Sequence, residues 1–286
     1  MQTFANTNTN TNDSIILIDY TLTLSQIRES ETYIMIINNT IKEIINKKGE
    51  CSLKMLITTL HYACPELQQF CKENEDKCKI SSIRDKGLTG KIVEFYLFGN
   101  LPNNESCPDT VYGDIKTTHF KIIGDESNKS FNAKERLTLT NFGNPSKQSN
   151  IDTIADKNSL QETKFYDKIK RGIVIIFQHD TIMYETIDSY YNKNILGVVF
   201  YNLDELFTTH KDVADIFQED FIKIRTCILE KKVSQSGQKY LHIHPHGPKD
   251  GTSRAFGFTN KFLTKLVSIY LNIPLVTKGR SHYIEF

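Results

Sequence analysis

The apolar positions along this chain change period as it is read from one end to the other. Between Leu24 and Lys47, residues Ile27, Tyr33, Ile34, Ile37, Ile41, Ile44 and Ile45 recur at the spacing of one face of an α-helix. Lys47-Lys48-Gly49 then supplies a basic last turn and a glycine stop. A second helix is predicted over Leu53–Ala63, broken at Cys64-Pro65, because proline lacks the donor a helix interior needs. The stretch 72–79 is rich in Lys, Glu and Asp, and a third helix starts near Gly87 with Ile92, Val93, Tyr96 and Leu97 on one side.

Beyond Gly99 the runs shorten. β-Branched and aromatic segments at 110–112, 115–123, 173–177, 196–201 and 240–244 predict strands, with helices between them near 214–228 and 261–271. Residues 125–156 are polar, contain Asn144-Pro145-Ser146, and predict a long loop. Residues 1–13 are Asn/Thr-rich without apolar periodicity and read as a disordered tail. The pattern as a whole predicts an α/β fold: a mixed central β-sheet flanked by helices, with an N-terminal helical extension.

Composition narrows the class. With 286 residues, 39% of them hydrophobic, and a mean hydropathy of −0.38, the chain has a real core. It has no run near the roughly 18 apolar residues of a membrane span, so no membrane partner is expected. The start has no basic or apolar signal segment, so the six cysteines are read as thiols of a cytoplasmic protein. The net charge of +1 hides a polarised distribution. Residues 221–286 hold eleven Lys and Arg against three acids, Glu230, Asp250 and Glu285, a surplus of eight. Such a surface points to a polyanion.

The chemistry concentrates in two segments. One is Lys86-Gly87-Leu88-Thr89-Gly90-Lys91-Ile92-Val93-Glu94; the other is Pro108-Asp109-Thr110-Val111-Tyr112-Gly113-Asp114-Ile115-Lys116. Asp114 and Lys116 are two apart, so on a strand both project from one face. Asp109 is close enough in sequence to turn its carboxylate onto the same spot. Two carboxylates and the Ile115 carbonyl are hard oxygen ligands suited to Mg²⁺, with Lys116 beside an attacking water. Other acidic-x-Lys triplets, such as Glu75-Asp76-Lys77 and Glu162-Thr163-Lys164, have no Pro-Asp upstream. His242, His244 and His246 alternate, so they share a strand face that either a zinc ion or DNA could use. Pro245 interrupts the run and no Cys or carboxylate stands at ligand spacing, which favours DNA. Cys64, Cys71 and Cys78 recur every seven residues and read as free thiols.

These segments resemble the MutH group of PD-(D/E)xK nucleases, which comprises a mismatch-repair nicking endonuclease and related type II restriction enzymes. The likeness spans 86–271. It continues through Lys168-Ile169-Lys170-Arg171 and the apolar run after it, through Glu219-Asp220-Phe221-Ile222 and Tyr240-Leu241-His242-Ile243-His244-Pro245, and through Arg254-Ala255-Phe256-Gly257-Phe258 to Phe262. The resemblance implies a restriction-endonuclease-like core and Mg²⁺-dependent cleavage of double-stranded DNA at a short sequence, GATC being the first target to test. Asp109 and Asp114, with Ile115, would hold the metal, Lys116 would be the catalytic lysine, and Glu94 the helix acid tied into the site. Lys86, His244, His246, Lys249, Arg254 and Lys261 would contact DNA, the loop 249–258 reading bases, Arg254 as a fork onto guanine. The second acid is Asp114 where MutH has Glu, and its distance from Asp109 is shorter. The implied organisation is one nuclease domain over 14–286: helical extension 14–80, catalytic part 81–205, recognition part 206–286, with a homodimer on DNA among the assemblies allowed. The competing expectations are a MutH-type nickase and a DNA-binding protein without catalysis.

Overall fold

The computed structural model describes residues 21–78, 87–101, 110–124, 129–142, 154–180, 186–230, 232, 236–245, 254–279 and 281–285. Its axis is the ten-residue strand β1, Asp114–Ile123. Before it come helices α1 (Leu24–Glu29), α2 (Thr32–Lys48), α3 (Leu53–Ala63), α4 (Pro65–Asn74) and α5 (Leu88–Phe98). After it come β2 (Ser130–Ala133), β3 (Leu137–Phe142), α6 (Lys164–Ile169), β4 (Arg171–Gln178), α7 (Ile187–Tyr191) and β5 (Ile195–Asn202). The chain continues through α8 (Leu203–Thr209), α9 (Lys211–Leu229), β6 (Leu241–Pro245), β7 (Arg254–Phe258), α10 (Asn260–Tyr270), β8 (Leu275–Lys278) and β9 (Ser281–Ile284). A six-stranded sheet runs β5-β4-β1-β2-β9-β8, and a three-stranded one runs β3-β7-β6. Strand β1 is parallel to β4 and antiparallel to β2. This is the mixed sheet with flanking helices that the pattern predicts.

Strand alternation divides the core between the two faces of the large sheet. On β4, Ile173, Ile175 and Phe177 join a cluster with Ile37, Leu56, Ile92 and Phe95 of the N-terminal helices. Val174 and Ile176 join Phe120, Phe217, Phe256 and Phe262 in a second cluster, under the small sheet, α9 and α10. Buried from both sides, Gly172–Phe177 reads as an unbroken apolar run.

Several expectations are corrected. The helix predicted over 24–47 is two: α1 ends at Ser30, whose backbone turns extended. Its Arg28 guanidinium donates to the Gly99 carbonyl beyond α5, so a tertiary contact overrides a continuous period. The stretch 72–79 begins inside α4, an amphipathic helix that buries Leu67 and Cys71 and leaves its charges in solvent. The loop predicted over 125–156 contains β2 and β3, where Phe131, Ala133, Leu137 and Leu139 are buried. The strand predicted at 110–112 is a tight turn closed by Thr110 and Gly113, each donating its N–H to the other's carbonyl at 3.1 Å. The disordered tail expected at 1–13 lies outside the described residues. No helix among the described residues is long and apolar enough to cross a membrane.

Candidate active site

The turn before β1 fixes where Asp114 starts. The Thr110 hydroxyl donates to the Gly113 carbonyl at 2.9 Å and accepts from the Tyr112 N–H at 3.1 Å, a local motif that threonine favours. Gly113 has φ +111°, and a Cβ there would sit 2.2 Å from the Arg171 carbonyl oxygen; only glycine fits. The Tyr112 ring meets Phe200 of β5 edge-on at 5.5 Å, which anchors the turn to the sheet.

From that turn, Asp114 and Lys116 emerge on one face of β1, as their spacing requires. The Lys116 Nζ donates to Asp114 Oδ2 at 2.8 Å, with the lysine side chain 28% exposed and the aspartate 15%. By alternation they share a face with Phe120, the face of the second cluster, whereas Ile115 packs with Ile92 and Val93 on the other. Asp114 lies in register with Gly172 of parallel β4, one residue from exposed Arg171. A Cβ at Gly172 would sit 2.7 Å from the Tyr201 Oη, so the glycine leaves room for that phenol. Tyr201 is fully buried; burial raises its pKa, and the charge of Asp114 raises it further. The phenol therefore stays protonated beside the carboxylate. Sequence reasoning missed Gly172 and Tyr201; the glycine interrupting an apolar run is the one signal that could have found them.

The remaining expected residues that the structure describes lie on several other elements. Glu94 is half-buried on α5, whose apolar side packs on the opposite face of the sheet, and its charge adds to the burial that pushes the Cys78 thiol up to about 12. Asp109, Lys86, His246 and Lys249 lie outside the described residues. His244 and His242 share a strand face, Nδ1 to Nδ1 at 3.1 Å. Burial first, then the charges of His244 and Arg136, lower His242 to about 3, so it is a neutral partner at ordinary pH. Lys261 begins α10 and lines a small groove with Asn132 and His282. The base-reading loop expected over 249–258 is corrected in part. Residues 254–258 are β7, the central strand of the small sheet, buried at all five positions. Arg254 is only 7% exposed; burial raises the Cys227 thiol of α9, and the nearby Arg254 charge offsets part of that rise. At Gly257 a Cβ would sit 2.0 Å from the Leu137 carbonyl oxygen, which is how closely β3 lies against this strand.

Magnesium keeps several waters and takes one or two carboxylates plus substrate phosphate. Asp114, half-buried with a second oxygen besides the one Lys116 engages, fits that chemistry, as does a strand carbonyl next to it. Among the described residues no three His, Cys, Asp or Glu side chains form a metal-binding group, a number that Mg²⁺ does not require. The described cysteines are free thiols, all buried. Compared with known proteins, the chain matches no family model and no curated sequence.

Proposed function

We propose that this protein is a Mg²⁺-dependent endonuclease that hydrolyses double-stranded DNA at a short sequence, in the manner of a type II restriction enzyme. The observation that carries the reading is the Asp114–Lys116 pair, 2.8 Å apart at the head of β1, beside the exposed Arg171. A surface acid–lysine pair alone contributes little; here both members emerge from a turn that tolerates no side chain at Gly113.

The roles follow from charge. Asp114, with Asp109, holds the cation; when bound, Mg²⁺ polarises a phosphoryl oxygen and lowers the pKa of an attacking water. Lys116 sets its ammonium against the charge that develops on the phosphate, a preorganised donor whose loss typically costs about 10²- to 10³-fold. Tyr201 backs Asp114 with a neutral wall, which keeps the carboxylate the negative group at that spot. Lys168, Lys170 and Arg171 provide phosphate contacts, and the basic quarter 221–286 extends them, so binding weakens with salt.

The test is supercoiled plasmid with Mg²⁺. The wild-type protein is expected to linearise it at a defined sequence, and Lys116→Ala to lower the rate at least about 100-fold with the thermal midpoint retained. Open-circle product would mark a nicking enzyme instead. Equal cleavage by Lys116→Ala, or salt-sensitive binding without cleavage at any Mg²⁺ concentration, would overturn the reading.

A further inference from the structure

Away from the strand end that carries Asp114 and Lys116, the structure also holds a concave pocket. It is about 390 Å³, against 40 Å³ for the groove beside α10, and falls within the roughly 300–1,000 Å³ of small-molecule sites. It sits in the N-terminal helical layer, between α3, α4, α5 and the end of α7.

Its floor is aromatic. Tyr96 of α5 and Tyr191 of α7 are both 8% exposed, meet edge-on at 5.8 Å, and share a hydrogen bond between their hydroxyls. His61 of α3 lies 6.1 Å from the Tyr96 ring and uses Nε2 on the Tyr96 carbonyl at 2.9 Å. That contact makes Nε2 the donor and leaves Nδ1 as an acceptor. The mouth is charged: Lys54 on α3, Lys72 on α4 and Glu75 just after it, a net of one positive charge. No nucleophile is available inside, because burial pushes the Cys71 thiol up to about 12. The cavity is built to bind rather than to react.

We propose that this cavity binds a small ligand made of an amino-bearing planar ring joined to one anionic group. The ring lies against the Tyr96 and Tyr191 faces, where ring–ring contact is favourable beyond its buried area. Its acceptors and amino group meet the tyrosine hydroxyls, the His61 acceptor and the Glu75 carboxylate. The anion sits between Lys54 and Lys72, whose hydrogen bonds to it are charge-assisted. The proposal does not depend on the nuclease reading, since none of these residues belongs to that site.

Calorimetric titration of the full chain tests it, with dAMP and, separately, 4-aminobenzoate as probes for the two sources of this chemistry. Saturable binding with a Kd below about 1 mM is expected for at least one. The double variant Lys54→Glu/Lys72→Glu, altering exposed residues only, is expected to weaken it at least about tenfold. Thr58→Trp, at the exposed rim, is expected to abolish it by filling the mouth, with the unfolding midpoint of each variant held. Binding of dAMP alone assigns the site to nucleotides, and of 4-aminobenzoate alone to aromatic carboxylates. Binding of neither probe, or binding that both variants leave unchanged, overturns the proposal.

Discussion

The two faces of the large sheet bury different chemistry. On the helical side the buried heteroatoms are mostly thiols and hydroxyls: Cys51, Cys64, Cys71 and Cys78, with Tyr33, Tyr96 and Tyr191, pack with Ile37, Leu56 and Phe95, and burial pushes Cys51, Cys71 and Cys78 up to about 12. A neutral thiol costs little to bury. On the other side stand Asp114 with Lys116 and, farther out, Asp220, His242 and Arg254, all charged or titratable and all but the first pair buried. Buried polar groups persist where they have partners. Near the far end of β1 one charge crosses the division: Lys193, 5% exposed, donates to Thr89 of α5 at 3.1 Å and lies 3.4 Å from His119. The helical layer is thus a packing scaffold with a cavity, whereas the opposite side buries charged groups, Asp220 with three backbone donors and Arg254 with its Nε unpartnered. The second kind of structure fails at single atoms.

The largest expected effect follows from Asp220. Its carboxylate, 0% exposed, accepts the N–H groups of Lys239, Tyr240 and Leu241 at 2.6 to 3.0 Å and so sets the start of β6. Asp220→Ala leaves those donors buried without partners and is expected to cost roughly 3–5 kcal/mol, measured by urea unfolding. Cys71→Ala in the helical layer removes one apolar atom and should cost about 1 kcal/mol. Equal losses would erase the distinction between the faces.

Gly172 tests the same side at the candidate site. An added methyl would press on the Tyr201 Oη at 2.7 Å, and overpacking of this kind costs about 1–3 kcal/mol. Because the displaced phenol backs Asp114, Gly172→Ala is also expected to lower plasmid cleavage more than its stability loss explains. Cleavage that falls only in step with the folded fraction would remove Tyr201 from the site.

Acid acts on both layers, and more gently. Burial, then the charges of Lys193, His179 and Lys134, lower His119 from its ordinary 6.5 to about 4, and His242 falls to about 3. Below 6.5 the unfolded chain binds protons that these folded histidines refuse. Their contribution is therefore complete above pH 6.5 and is lost as the pH drops toward 4 and then 3, with a slope of up to about 1.4 kcal/mol per unit for each. His242→Gln should flatten the unfolding free energy between pH 6.5 and 4; an unchanged slope would place the titration elsewhere.

What the sequence revealed depended on how local the cause was. Strands β4 and β5 were legible because both are apolar over their length, and α2 because its period ends at Gly49, which takes φ +86°. Asp114 and Lys116 needed only a two-residue spacing. Strand β2 is only four residues long, and although it folds back on β1 it offers too short an alternation of buried and exposed positions to stand out from the polar stretch around it. Helix α4 was hidden by charges it keeps in solvent. Arg254 was read as part of a basic loop, because no local pattern shows that β3 and β6 flank it on either side. Tyr201 was invisible for the same reason: its meaning comes from Gly172 on the neighbouring strand.

The smallest effect sharpens the comparison most. Gly90 lies in the first turn of α5, where a glycine is worth up to about 1 kcal/mol less than alanine, and an added Cβ would meet only Glu94 Oε1, at 3.8 Å. The helix therefore gives no reason for glycine at that position. If α5 serves only as packing for the helical layer, Gly90→Ala should raise stability by up to about 1 kcal/mol and leave plasmid cleavage as it was. If the half-exposed side of α5 that carries Lys91 and Glu94 meets the DNA backbone, the same methyl should stabilise the protein and slow cleavage together. Paired unfolding and cleavage measurements on this one variant decide whether the helical face belongs to the scaffold alone or to the site as well.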